Sequence, residues 1–194
     1  DPSGYGEGEF ILGTTNVFTA PLDQARFDAT VPAPDPLPDY YAATATHLDS
    51  GDTSEFSHFA MLDSDGDGMP DGWEQRFFGS ATAGDPAGHG DDDGIPNLDE
   101  FYGDTDPTDG DSFLRIVDIS NTNLVVGHRT AVLFPSSAFR QYRVEHADMS
   151  GLLTNGWTAG AAGYEPGTGE NMTGLDILPA GTTSAHFRVR GRLP

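Results

Sequence analysis

The chain has 194 residues, a formal net charge of −22 at pH 7, 25 glycines, 14 prolines and no cysteine. That length can bury a real core as one large domain or two small ones, and 10% aromatic residues is too rich for a wholly disordered acidic tail. The charge argues against nucleic-acid and anionic-membrane partners, which need Lys and Arg to meet phosphates. No run approaches the roughly 18 apolar residues of a bilayer span, so no membrane insertion is expected. Without cysteine there are no disulfides, thiolate zinc sites or Cys nucleophiles.

All nine basic residues are Arg, and the chain begins at Asp1 with neither Met nor an apolar signal segment. Read as a processed, mature N-terminus, that start favours a secreted, extracellular or cell-surface location. The charge is unevenly spread: net −9 over residues 1–62, −14 over 63–112 and +1 over 113–194. Three regions are expected on these boundaries. They are an N-terminal extended arm with strands and a Pro-rich spacer, a cation-binding repeat region, and a β-sandwich module.

In the arm, Phe10–Thr19 (FILGTTNVFT) reads as one or two strands, and Val31–Asp39 (VPAPDPLPD) as a polyproline-like spacer. Tyr40, Tyr41 and the stretch from Phe56 to Leu62 are the next apolar anchors. This is too little apolar material for an independent domain. Either the strands join the C-terminal sandwich, or they pair with another molecule, which predicts self-association through the arm.

From Asp63 the chain reads DSDGDGMPDGWE, which fills a twelve-residue calcium loop in order. Asp63, Asp65 and Asp67 take positions 1, 3 and 5, Gly68 the turn at 6, and Met69 offers its carbonyl at 7. Asp71 stands at 9 and Glu74 at 12, where it can close the site with both oxygens. Calcium wants six to eight hard oxygen ligands, and alternate acids on a tight turn converge on one point.

A second copy, HGDDDGIPNLDE, runs from His89 to Glu100. Asp91 and Asp93 take positions 3 and 5, Gly94 the turn, Ile95 the carbonyl position, Asn97 position 9 and Glu100 position 12. His89 occupies position 1, where imidazole is a poor calcium ligand; either Asp92 or Asp85 substitutes, or the site is weaker. After each loop, Pro70 to Phe78 and Pro96 to Tyr102 open with Pro and stop before Gly79 and Gly103, which predicts two short helices. A third acidic stretch, Gly103 to Ser112, completes a site shared with a preceding loop, forms a third site, or is an Asx-turn linker.

The run from Asp63 through NLDEFYGDTDPTD resembles the thrombospondin type-3 calcium repeats of secreted bacterial proteins over residues 60–112. The resemblance implies calcium at Asp63, Asp65, Asp67, Asp71 and Glu74, and at Asp91, Asp93, Asn97 and Glu100. It also implies Asp104, Asp106 and Asp109 as ligands, and the role of a calcium-stiffened extracellular spacer.

Residues 113–194 read as short strands: 113–120, 130–134, 140–146 and 184–190. In the last, Phe187 and Val189 point one way and His186, Arg188 and Arg190 the other. His128, His146 and His186 lack metal-ligand spacing and read as strand-surface residues. The fold class expected is mainly β: a small antiparallel β-sandwich plus an irregular calcium-loop region with two short helices. The order of YRVEHA, LLTNGW and FRVR loosely resembles fibronectin-type-III-like modules.

No nucleophile-elbow, zincin, phosphate-loop or dinucleotide motif is present, so no catalytic residue is assigned. Asn171-Met172-Thr173 is a glycosylation sequon. The expected function is that of a non-enzymatic, calcium-binding structural protein, a self-assembling filament or surface-layer subunit. The rival is a spacer, anchoring or carbohydrate-binding module of a larger secreted hydrolase or adhesin, with Trp157 and Tyr164 as its one aromatic pair for a glycan.

Overall fold

The computed structural model describes residues 11–18, 28–124, 127–160, 162–179, 182 and 184–194. By internal contacts the described chain divides into two compact units. One is Asp67–Met69 with Gly84–Pro194; the other runs through Gly66 and takes up Pro70–Ala83.

The larger unit is mainly β. Its first sheet has the order β1 (Asp118–Leu124), β2 (Gly127–Pro135), β6 (Asn171–Pro179), all antiparallel. In β2, Thr130, Val132 and Phe134 are buried and their neighbours are not, the period-two pattern of a half-buried strand. Register sets Thr130 opposite Asp176, Val132 opposite Gly174 and Phe134 opposite Met172.

The second sheet is built on β3 (Gln141–Ala147), with β7 (His186–Arg192) antiparallel along its whole length. β4 (Thr158–Ala159) pairs at Glu145 and His146, and β5 (Glu165–Pro166) at Gln141 and Tyr142. Val132 and Phe134 from one sheet meet Tyr142 and Val144 from the other, with Leu114, Ile116, Met172, Phe187 and Val189 packed around them. A small antiparallel β-sandwich results, as expected.

Phe187 and Val189 face this core while Arg188 faces outward and bonds Glu145, so the expected alternation of β7 holds. The expected first strand starts late: Leu114 and Ile116 pack on the core ahead of β1. β6 escapes the sequence because its inward positions are Met172, Gly174, Asp176 and Leu178, a mixed set that does not read as apolar alternation. Residues of the LLTNGW stretch form a short helix, α3 (Met149–Thr154), whose N-cap Asp148 accepts from the Gly151 amide at 2.7 Å.

His146 is a correction. It is not a strand-surface residue: it shares the inward side of β3 with Tyr142 and Val144, and its Nδ1 lies 2.5 Å from Asp176 Oδ2 on the facing sheet. Strand parity, which outweighs the residue's polarity, puts it there.

The smaller unit holds the first helix, α1 (Asp71–Phe78), closed by Gly79 in the left-handed region at φ 81°. The Pro-rich spacer lies on it. The Leu37 amide donates to Gln75 Oε1 at 3.0 Å, and Arg76 pairs with Asp39 at 2.8 Å. Tyr41 and Ala60 exchange both backbone hydrogen bonds at 2.7 Å, and Thr46 bridges Thr53, so 41–60 doubles back as an irregular hairpin. Of the expected Phe10–Thr19 strand, Phe10 and Thr19 lie outside the described residues, and 11–18 form no strand. Where composition divides the chain after residues 62 and 112, contacts group α1 with the N-terminal segment and the second acidic loop with the sandwich.

The His146–Asp176 pair spans the two sheets with Asp176 2% exposed. Replacing His146 with Ala leaves Asp176 only the Ile177 amide as a donor, at 2.7 Å, and is expected to destabilise the sandwich by about 1–3 kcal/mol in urea unfolding. The double variant His146→Ala/Asp176→Ala should recover part of that loss; simple additivity would show that the two groups are not coupled.

Candidate metal centres

The first loop is one continuous stretch of chain. Asp63, Asp65 and Asp67 each place a carboxylate oxygen within 4.8 Å of the others. Short-range bonds shape it: the Gly66 amide donates to Asp63 Oδ1 and the Met69 amide to Asp67 Oδ1, both at 2.8 Å. Gly68 holds φ 98°, which an L side chain rarely adopts. Glu74, at the expected closing position, is fully buried in the first turn of α1. Asp71 is placed differently from a simple ligand, because its two oxygens take the Ser64 amide and hydroxyl, each at 2.7 Å.

The second loop repeats this plan on α2 (Asn97–Gly103). Asp91, Asp93 and Glu100 bring carboxylate oxygens within 4.8 Å of one another. Asp91 Oδ1 accepts from the Asp93 amide at 3.1 Å, and Asp93 Oδ1 from the Ile95 amide at 2.6 Å. Their other oxygens, Asp91 Oδ2 and Asp93 Oδ2, are buried without a hydrogen bond, as is Glu100 Oε2. One oxygen of each of these two aspartates thus fastens the loop and the other is buried.

Asn97 matches Asp71: its Oδ1 accepts from the Gly90 amide at 3.1 Å, and its Nδ2 donates to the Asp85 carbonyl at 2.9 Å. His89, Asp85 and Asp92 are not in the carboxylate group; Asp85 Oδ1 instead takes the Ala87 amide at 3.0 Å. Met69 and Ile95 are tied to their loops by their amides, which leaves their carbonyls as the part the spacing assigns to an ion.

The third stretch folds over the second loop. A Cβ on Gly110 would lie 3.7 Å from the Asp91 carbonyl and from Asp93 Cβ. Asp106 is near enough to repel Glu100, although its own Oδ1 accepts from Thr108. Asp109 Oδ1 accepts from the Asp111 amide at 3.1 Å. Asp104 sits just past α2 in the left-handed region at φ 58°; one oxygen meets Arg140 at 3.1 Å and the other accepts from the Ser137 hydroxyl. Gly103, expected to follow the helix, is its last residue, and Asp104 is the cap.

Sequence reasoning did not find Thr105, which donates to Glu100 Oε1 at 3.3 Å, or Arg140 and Tyr142, which hold the end of α2. The latter two lie 39 residues from their partners, beyond any local pattern.

Together the groups can hold metal ions. The donors are all oxygen, which suits a hard cation. Each ring proposed for a glycan carries an arginine: Arg188 lies 4.3 Å from the Trp157 centroid, and Arg192 lies 3.9 Å from that of Tyr164. No family model, curated protein or solved structure matches the chain.

Burial, then repulsion from Asp91, Asp93 and Asp106, raises the Glu100 carboxyl to a pKa of about 7, against the Thr105 hydrogen bond. The folded, ion-free protein therefore keeps a proton that the unfolded chain sheds above its usual 4.5. The stability this contributes is fully present below the unfolded value and is lost as pH rises through about 7. Glu145 is the opposite case. Burial pushes it up, but Arg188 and Arg143 outweigh that and hold it low, so its contribution is lost only in acid. In chelator, the melting temperature is expected to fall between about pH 5 and pH 8, and Glu100→Gln should flatten the fall. An equal slope in that variant would remove Glu100 as the cause.

Proposed function

We propose that this chain is a non-enzymatic, secreted calcium-binding structural protein whose two acidic loops each take one ion. The observation that carries the reading is the set of three buried oxygens without hydrogen bonds at Asp91, Asp93 and Glu100. A buried carboxylate oxygen with no donor is costly, and a cation among them removes that cost. Calcium is favoured over magnesium because the loops offer many oxygens on irregular backbone rather than a tight octahedron. The ion would supply charge neutralisation and a fixed loop. Asp63, Asp65, Asp67 and Glu74 would hold the first and Asp91, Asp93 and Glu100 the second, with the Met69 and Ile95 carbonyls completing them. A cavity of about 10 Å³ between the sheets, beside Phe134, Tyr142 and Met172, has room for a single water, which fits a structural role.

The same reading makes the N-terminal arm the means of self-association into a filament or surface layer. Ile11 and Phe18 stand 88% and 95% exposed in a segment without strand pairing. Apolar side chains left in water on an extended backbone suit addition to a sheet edge of another copy. Repeated head to tail, such a contact does not close.

Titration of chelated protein with calcium chloride should show two sites with dissociation constants of about 10⁻⁴–10⁻³ M. Asp93→Ala should remove one and Asp67→Ala the other; no heat in the parent protein would end the metal reading. Chelation should also lower the melting temperature and open residues 60–112 to protease before the sandwich.

Deleting residues 1–20 should turn any polymer into monomers in light scattering. Unchanged assembly in the truncated chain would rule out the arm.

A further inference from the structure

The second loop closes on an element that cannot stand alone. α2 has seven residues, about half of what an isolated helix needs for even marginal stability in water. Its last carbonyls must find donors outside the helix. The Thr105 and Asp104 amides donate to the Glu100 and Phe101 carbonyls at 3.1 and 3.3 Å, and Arg140 adds to the second. Its Nε and Nη2 donate to the Phe101 carbonyl at 3.2 and 2.8 Å, and its guanidinium lies 5.1 Å from the Phe101 ring centroid. The residue is 2% exposed, and Asp104 balances its charge at 3.1 Å.

Tyr142 adds a hydroxyl to the Gly103 carbonyl at 3.2 Å. At Gly191 in β7 the strand comes so close that a Cβ would stand 2.4 Å from the Tyr102 carbonyl oxygen. Every carbonyl from 101 to 103 thus meets a residue of the second sheet or of the turn leading into it. Glu100 is one residue before the first of them.

We propose that Arg140 is a positioning residue of the second metal loop: by clamping the last turn of α2 to the sandwich, it fixes Glu100 against Asp91 and Asp93 and so sets the ion affinity there. This rests on the reading that the loop takes an ion. Arginine is needed because one planar fork reaches a carbonyl and a carboxylate while stacking on a ring, which a lysine ammonium cannot do. The clamp also assigns both oxygens of Asp104 to the fold, so the cap of α2 serves the site from outside it. Linkage makes the effect reciprocal: an ion that holds Glu100 also holds α2 on the sheet.

The test is calcium titration of the full chain carrying Arg140→Leu, Arg140→Lys or Tyr142→Phe, with Asp93→Ala marking the second site. Each is measured at a temperature where circular dichroism shows the ion-free variant folded. Arg140→Leu should weaken the second site by about 10-fold or more, the size of effect seen when groups that orient metal ligands are lost. The first site should keep its affinity, and Arg140→Lys should recover only part of the loss. A residue that merely stabilises the fold would lower the melting temperature and leave both affinities unchanged; that result overturns the proposal. If Arg140→Leu does not fold, unchanged affinity in Arg140→Lys and Tyr142→Phe overturns it equally. A parent protein that binds no calcium refutes the function itself, whereas two sites in the parent and the same two in the variants refute only the clamp.

Discussion

Carboxylates that converge at close range are the constraint around which this protein is arranged. Fifteen acids and one arginine occupy residues 63–112, and such a stretch repels itself unless it is solvated or neutralised. The loops do not solve this by pointing every acid outward. Asp63, Asp67, Asp91 and Asp93 each use one oxygen for a short-range hydrogen bond to backbone, and at Asp67, Asp91 and Asp93 the other is buried. The bonds hold the loop in shape, and the buried oxygens make the shape useful to a cation. Position 9 does neither of the things a simple ligand would do: Asp71 and Asn97 both reach back to the second residue of their own loop and close it.

The sandwich is the rigid partner in this arrangement. Four of its seven arginines are occupied in holding structure. Arg188 and Arg143 satisfy Glu145, Arg192 donates to Gln141 and covers Tyr164, and Arg140 holds α2. The N-terminal unit follows the same logic with α1, where the spacer from Leu37 to Asp39 supplies a donor-acceptor contact and an ion pair to a two-turn helix.

Much of this was legible in the residues. Loop positions 1 to 12, the glycine turns and both helices rest on contacts within a dozen residues, so spacing alone locates them. The strands β2, β3 and β7 were readable because β-branched and aromatic residues alternate in them. β6 was not, since Gly174 and Asp176 occupy inward positions where an apolar residue would have been the signal. His146 looked like a surface residue for a related reason: polarity suggests water, but parity places it facing Asp176.

The sequence by itself determined the acidic loops, the turns that bend them, the helices that follow and the β character of the last eighty residues, because each depends on near neighbours along the chain. Tertiary structure alone decided which acids of these stretches serve another purpose. Asp104 and Asp91 are both acids in acidic stretches, yet one is tied to Ser137 and Arg140 and the other turns an oxygen toward Glu100. The partners that separate these fates lie more than thirty residues away, where chain spacing carries no information and only packing brings the groups together.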